Sequence, residues 1–303
     1  MVQHVIETHD LTVYYGKHPG IKHVNLQVAQ GEVFGFLGPN GAGKTTTQRA
    51  ILDIIHPSAG SARVFGLDSQ QDGVAVRKRI GYLPGELNLY PGMRANGFLD
   101  MLASLQDTQA DVRFRNTLCE RLNLDPTRRM KEYSRGNKQK IGIVAAFMNK
   151  PDLLILDEPT GGLDPLVQQT VMDLVREVKA DGRTVFLSSH ILPEVQAVCD
   201  RVGIIRDGEL ITTAAVNELT RQAFKRLHIT FERLPPAHAF ALEGVTETGR
   251  DGQMIMLEVR EGLSEVMKIA SPYGIHDLEV PHVTLEEIFL NFYGRTSNGN
   301  GGL

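Results

Sequence analysis

Residues 33–45 read Val33-Phe34-Gly35-Phe36-Leu37-Gly38-Pro39-Asn40-Gly41-Ala42-Gly43-Lys44-Thr45. The first five form an apolar run too short and too rich in β-formers for a helix, and they read as a buried strand. The next eight fit G-x-x-x-x-G-K-[ST], and a helical pattern begins directly behind them. Strand, loop and helix in that order are the setting a phosphate-binding loop requires. Glycines let backbone N–H groups turn inward around anionic oxygens, and the helix starting near Lys44 adds the positive end of its dipole. Lys44 is then expected to reach the β- and γ-phosphates of a nucleoside triphosphate and Thr45 to ligate Mg²⁺ through its hydroxyl. Thr46 is expected to donate to a phosphate as well.

A second run, Leu153-Leu-Ile-Leu-Asp157-Glu158-Pro159, closes an aliphatic strand with two adjacent acids. Burying carboxylates without partners is costly, so such a pair calls for a reason. Beside a phosphate loop, the expected roles are Asp157 in the Mg²⁺ shell and Glu158 polarising the water that attacks the γ-phosphate in line.

Thr184 to Leu187 and Val202 to Ile205 read as two further buried parallel strands. Between strands lie helix patterns: Val167, Val171, Leu174, Val175 and Val178 make one apolar stripe. A second helix is expected behind Gly43, carrying Ile51, Leu52, Ile54 and Ile55 until His56-Pro57 stops it. Alternating strands and helices predict an α/β fold with a mainly parallel sheet. Residues from about 88 to 150 contain no convincing strand; Phe98–Leu105, Phe114–Leu122 and Arg135–Met148 read as helices of a subdomain inserted in that core. From about Asn217 the pattern changes to alternating stretches at Leu227–Phe231 and Met254–Val259, with a helix at Leu263–Ala270. Thr284-Leu285-Glu286-Glu287 is a capping box ahead of a last helix with Ile288, Phe289 and Phe292 on one face. The expected organisation is a nucleotide-binding domain over 4–216, a small α+β domain over 217–295 and a flexible tail over 296–303.

Composition narrows the function classes. The formal charge of −4 on 303 residues supplies no whole-protein basic field, so no nucleic-acid partner is expected. The N-terminus has no basic region followed by an apolar core, and so is not read as a secretory signal. Ile141 to Met148, the most apolar internal stretch, is 8 residues long, against the roughly 20 a membrane-spanning helix needs. A transport role therefore requires a separate membrane partner or domain. The two cysteines, Cys119 and Cys199, fit a reducing compartment.

The order of these motifs over about residues 4–215 resembles the nucleotide-binding domain of ABC transporters, a P-loop NTPase core of ABC ATPase type. Thr160-Gly161-Gly162-Leu163-Asp164 resembles that family's D-loop, with Gly161 where Ser is usual. His190 matches its switch histidine, which contacts the γ-phosphate and links it to Glu158. Tyr15 resembles the aromatic that stacks on adenine, with Tyr14 as rival and plain packing as the bland reading. Tyr133-Ser134-Arg135-Gly136-Asn137 stands where the family carries Leu-Ser-Gly-Gly-Gln. Ser134 and Gly136, the positions expected to touch the γ-phosphate, are kept; Ser134 also suits a helix N-cap. That signature acts on ATP held by another subunit, so the resemblance implies a homodimer with two sandwiched ATPs.

Ile80-Gly-Tyr-Leu-Pro84-Gly85-Glu86 departs further, with Gly85 where the family has a Gln at the metal and attacking water. Glu86 is either its replacement or a solvated loop acid. Thr284 to Tyr293 resembles the ending of ATPase subunits of bacterial multidrug and antibiotic exporters. The resemblance implies an ATP-hydrolysing subunit, peripheral on the cytoplasmic face of the membrane, driving a separate permease in export of drugs, antibiotics or lipids. The alternatives are a soluble ABC ATPase acting on ribosomes or DNA, and an ATP-binding regulatory module.

Overall fold

The computed structural model describes residues 3–105, 111–218 and 225–281. It opens with two strands absent from the sequence reading: β1 (His4–Tyr15) and β2 (His18–Ala29), joined at Gly16 and paired antiparallel. The register of the pair shifts four times, which breaks the alternation along β1, whereas β2 keeps Val24, Leu26 and Val28 buried between exposed Asn25 and Gln27. After them come β3 (Val33–Leu37), α1 (Lys44–Ile51), β4 (Ala59–Val64) and β5 (Leu67–Asp68). β1, β2, β4 and β5 form a four-stranded antiparallel sheet in the order β2-β1-β4-β5. The fold is α/β as expected, but with this second sheet added to the parallel one.

The helix behind the phosphate loop is shorter than its apolar pattern predicts. α1 stops at Ile51, Asp53 takes a left-handed φ of 52°, and the N–H groups of Ile54 and Ile55 both donate to the Arg49 carbonyl. This closes the helix end in the manner of a left-handed cap. Ile54 is left exposed.

The chain continues through α2 (Gly73–Arg77), β6 (Ile80–Leu83), α3 (Ala95–Ser104), α4 (Val112–Arg121) and α5 (Arg135–Phe147). Among the described residues between β6 and α5 there is no strand. β7 (Leu153–Asp157), α6 (Pro165–Ala180), β8 (Thr184–Ser189), α7 (Leu192–Val198), β9 (Arg201–Arg206) and β10 (Glu209–Ala215) follow. The six-stranded sheet has the order β10-β9-β3-β8-β7-β6, and β9, β3, β8, β7 and β6 run parallel. β3, β7 and β8 are buried along their whole length, as strands covered on both faces must be. Phe34 stacks on Phe186 with centroids 5.7 Å apart, and Phe36 lies 5.4 Å from the same ring.

The chain divides into two compact units, Met1–Ala214 and Ala215–Leu303. In the second, β11 (Lys225–Phe231), β12 (Val245–Asp251), β13 (Met254–Val259) and β14 (Ile275–Glu279) make an antiparallel sheet ordered β12-β13-β11-β14. α8 (Leu263–Ala270) packs Val266 and Ala270 into a core with Leu227, Ile229, Phe231, Phe240 and Leu257. The capping box at Thr284, the helix behind it and the tail lie outside the described residues.

Topology places the site. In an open parallel sheet, ligands bind beyond the carboxyl ends of the strands. β3, β6, β7 and β8 all deliver candidate residues to that edge.

Candidate functional site

Gly43 is the N-cap of α1 and has φ 110°, a conformation side-chain-bearing residues avoid. A Cβ there would also meet Ile21 Cγ2 at 2.7 Å and the Gly20 carbonyl at 2.8 Å. Pro39 and Ala42 brace the loop from within, the Ala42 N–H donating to the Pro39 carbonyl, while the Gly208 N–H donates to the Ala42 carbonyl. Gly38 follows β3 directly. Lys44 is 5% exposed, and its Nζ donates to the carbonyls of Gly38 at 2.7 Å and Pro39 at 3.1 Å. The same ammonium lies 3.4 Å from Glu158 Oε1.

Three oxygen-bearing side chains meet beside it. Thr45 Oγ1 donates to Asp157 Oδ2 at 2.7 Å, and Ser188 Oγ donates to Asp157 Oδ1 at 2.5 Å. Asp157 is 1% exposed. A buried carboxylate and an adjacent hydroxyl, both hard oxygen donors, suit Mg²⁺, which takes few protein ligands alongside phosphate and water. No group of three or more His, Cys, Asp or Glu able to hold a metal occurs among the described residues.

Glu158 takes φ 49° at the end of β7, turning the chain so that its carboxylate faces Lys44 rather than continuing the strand. Left-handed backbone on a residue with a side chain stores strain of order 1–3 kcal/mol. Its N–H donates to the Ser188 carbonyl, and Gln139 Nε2 donates to the carbonyls of Glu158 and Pro159. Nδ1 of His190 lies 3.1 Å from Glu158 Oε1, so the tautomer protonated at Nδ1 donates to the carboxylate. Lys44, Glu158 and His190 therefore share one carboxylate oxygen.

Tyr15, Gly20, Asn40, Gly41, Gly43, Lys44, Thr45, Thr46 and Glu158 line a cavity of about 310 Å³. Tyr15 Oη is 3.4 Å from Thr46 Oγ1. Tyr14 is equally exposed but does not line this cavity; successive residues of a strand face opposite ways. Ser134 caps α5, its Oγ accepting from the Asn137 N–H at 3.3 Å. Gly136 packs against the D-loop, where a Cβ would lie 2.7 Å from the Gly162 carbonyl oxygen. Neither residue lines the cavity.

Gly85 sits against the metal-side carboxylate: a Cβ there would come 2.9 Å from Asp157 Oδ2. The loop backbone approaches Asp157 where the resemblance predicts a long side chain. Glu86 is exposed and makes no hydrogen bond or ion pair among the described residues. Glu86→Gln is expected to leave ATP turnover within about twofold of wild type, as for other unpartnered surface residues. A steady-state phosphate-release assay checks this, and a tenfold fall would place Glu86 in the chemistry.

Sequence reasoning did not find Ser188, Gln139 or Glu194. Glu194 Oε2 accepts from Thr160 Oγ1 at 2.8 Å. Burial pushes its carboxyl above the usual range and the Glu158 charge adds to that, while hydrogen bonds from Thr160 and Ser189 and the nearby His190 pull it down. The only sequence signal for Ser188 was its place in Ser188-Ser189-His190; nothing local marked the other two.

The family model described as ABC transporter matches residues 21–161. The bacitracin transport ATP-binding protein BcrA of Bacillus licheniformis is 35% identical over 229 residues, 74% of each chain. The linearmycin resistance ATP-binding protein LnrL of Bacillus subtilis is 31% identical over 312 residues, 96% of this chain and 99% of that one. A solved structure titled as an ATP binding subunit of an ABC transporter superposes with a TM-score of 0.67 at 29% identity, covering 72% of this chain and 92% of the other.

Proposed function

The chain belongs to the ATP-binding proteins of ABC transporters, and from that premise we propose that two copies sandwich two Mg-ATP molecules and drive a separate membrane permease in export. The observation that carries the catalytic reading is the convergence of Lys44 and His190 on Glu158 Oε1, at 3.4 and 3.1 Å, beside the Thr45–Asp157 pair.

In this reading Gly38, Pro39, Asn40, Gly41, Ala42 and Gly43 wrap the phosphates, Tyr15 stacks on adenine and Thr46 donates to a phosphate. Lys44 leaves its loop carbonyls for the β- and γ-phosphates. Thr45 and Asp157 hold Mg²⁺, which supplies neutralisation of phosphate charge. Glu158 accepts a proton from the attacking water as the γ-phosphoryl group leaves ADP. His190 orients Glu158 and meets the γ-phosphate. Ser134 and Gly136, away from the cavity of their own chain, serve the partner's ATP from the N-terminus of α5. Residues 4–216 form the nucleotide-binding domain, with its helical subdomain at about 88–150, and 217–295 form the accessory domain.

No helix among the described residues is long and apolar enough to cross a membrane. A groove of about 510 Å³ lined by Val74, Ile80, Tyr82, Leu102 and Met148, with Arg77, Lys78 and Asn149 beside them, is the seat this reading offers the permease. In this reading the permease holds the subunit, as a peripheral protein, at the cytoplasmic face of the membrane. Export rests on the likeness to the bacitracin transport and linearmycin resistance proteins.

The test is purification from detergent-solubilised membranes followed by phosphate-release assay. Expected are a co-purifying protein with several apolar spans and hydrolysis that stops on Mg²⁺ chelation. A chain found only without membrane partners would remove the transport reading, and metal-independent hydrolysis would remove the site assignment.

A further inference from the structure

His190 and Glu158 form one cross-link between the segment after β8 and the segment after β7. A second lies beside it: Thr160 Oγ1 donates to Glu194 Oε2 at 2.8 Å. Residues 158 and 160 stand on one side, 190 and 194 on the other, so the two bonds are rungs between the same two stretches of chain. Thr160 is 2% exposed, so its hydroxyl needs a protein partner. Glu194 stands in the first turn of α7.

The second rung reaches the D-loop. Thr160 begins Thr160–Asp164, and its carbonyl accepts from the Leu163 N–H at 3.1 Å and Gln168 Nε2 at 3.4 Å. Asp164 caps α6, accepting from the Val167 N–H. Gly162 in the middle of the loop is the residue whose carbonyl abuts Gly136. A displacement of Thr160 is therefore carried into the loop that touches the signature segment, through bonded and packed groups.

We propose that the Glu194–Thr160 pair is the rung that passes the position of His190 to the D-loop, making Glu194 a positioning residue for ATP-driven pairing of two copies. This rests on the ATP-sandwich reading above. Engagement of His190 by a γ-phosphate shifts the start of α7 relative to Glu158, and Glu194 draws Thr160 and the D-loop with it. Glu194 does not touch ATP, so its loss acts on pairing and turnover, not on binding.

The experiment compares Glu194→Ala, Glu194→Gln, Thr160→Val and Thr160→Ser in the full chain, each also combined with Glu158→Gln. Turnover in Glu194→Ala and Thr160→Val is expected to fall about tenfold with KM for ATP within about twofold, both variants losing the Thr160–Glu194 bond and Glu194→Ala also the bond from Ser189. Glu194→Gln and Thr160→Ser, which keep an acceptor and a donor, retain at least about half of the rate. In the Glu158→Gln background, size-exclusion chromatography with ATP is expected to show less dimer for the Ala and Val variants only. Melting temperatures identify variants that fail to fold; if Glu194→Ala does, the Thr160 pair decides alone. Equal dimer in all backgrounds, or equal loss in Ala and Gln variants, overturns the rung. No ATP-dependent dimer in Glu158→Gln alone overturns the sandwich itself.

Discussion

Glu158→Gln is expected to bind ATP as the wild type does, to lose turnover by about a thousandfold, within the range a general base supplies, and to accumulate as an ATP-bound dimer. The substitution keeps shape, so the left-handed backbone at φ 49° costs the same before and after. It removes the 3.4 Å attraction to Lys44, yet Lys44 keeps its bonds to the Gly38 and Pro39 carbonyls, and the phosphate loop stays formed. The amide oxygen still accepts from His190. What goes is the carboxylate able to take the proton of the attacking water. Equilibrium binding of a fluorescent ATP analogue, phosphate release and size-exclusion chromatography with ATP read the three expectations. Full turnover in Glu158→Gln, with its partner present, would sink the base assignment.

The neighbouring sequence explains why this site was legible. β3, β7 and β8 are largely apolar runs because both faces are covered; β7 ends in Asp157 and β8 in Ser188-Ser189, buried polar residues that need partners, and β3 runs directly into the glycine-rich loop. Lys44, Thr45, Asp157 and Glu158 could be read because the phosphate loop fixes which neighbours a triphosphate needs. β1 and β2 escaped for the opposite reason. In β1 the shifting register puts Thr8 and Thr12 among the buried positions and breaks the alternation. β2 carries the signal for only five residues, Val24, Leu26 and Val28 alternating with Asn25 and Gln27, behind a loop-like His18-Pro19-Gly20. The overlong helix behind Gly43 came from counting Ile54 and Ile55 as helical, whereas Asp53 turns left-handed before them.

Glu194 shows a different limit. An acid in the first turn of a helix is favourable against the dipole wherever it occurs, so its presence in Leu192-Pro193-Glu194 carries no functional signal. Its partner Thr160 is 34 residues away, and only folding brings the two together. Gly85 lies between the extremes. The sequence marked it as a departure, but not that its backbone closes on Asp157.

Lys44→Ala is expected to weaken ATP binding about a hundredfold or more, because the ammonium is the one charge-assisted donor seated inside the loop. Lys44 is 5% exposed, held by two carbonyls and facing Glu158, so the loop has built a narrow, preordered seat for a compact cation. A planar guanidinium does not substitute for that point charge, and Lys44→Arg is expected to lose affinity too. The alanine variant should still fold. Glu158 keeps His190 and its side chain is 31% exposed, so no carboxylate is left buried and unpaired. A cooperative thermal melt together with titration of a fluorescent ATP analogue separates lost binding from lost fold. Unchanged ATP affinity in a folded Lys44→Ala chain would contradict the phosphate-loop reading from which the rest of the site was built.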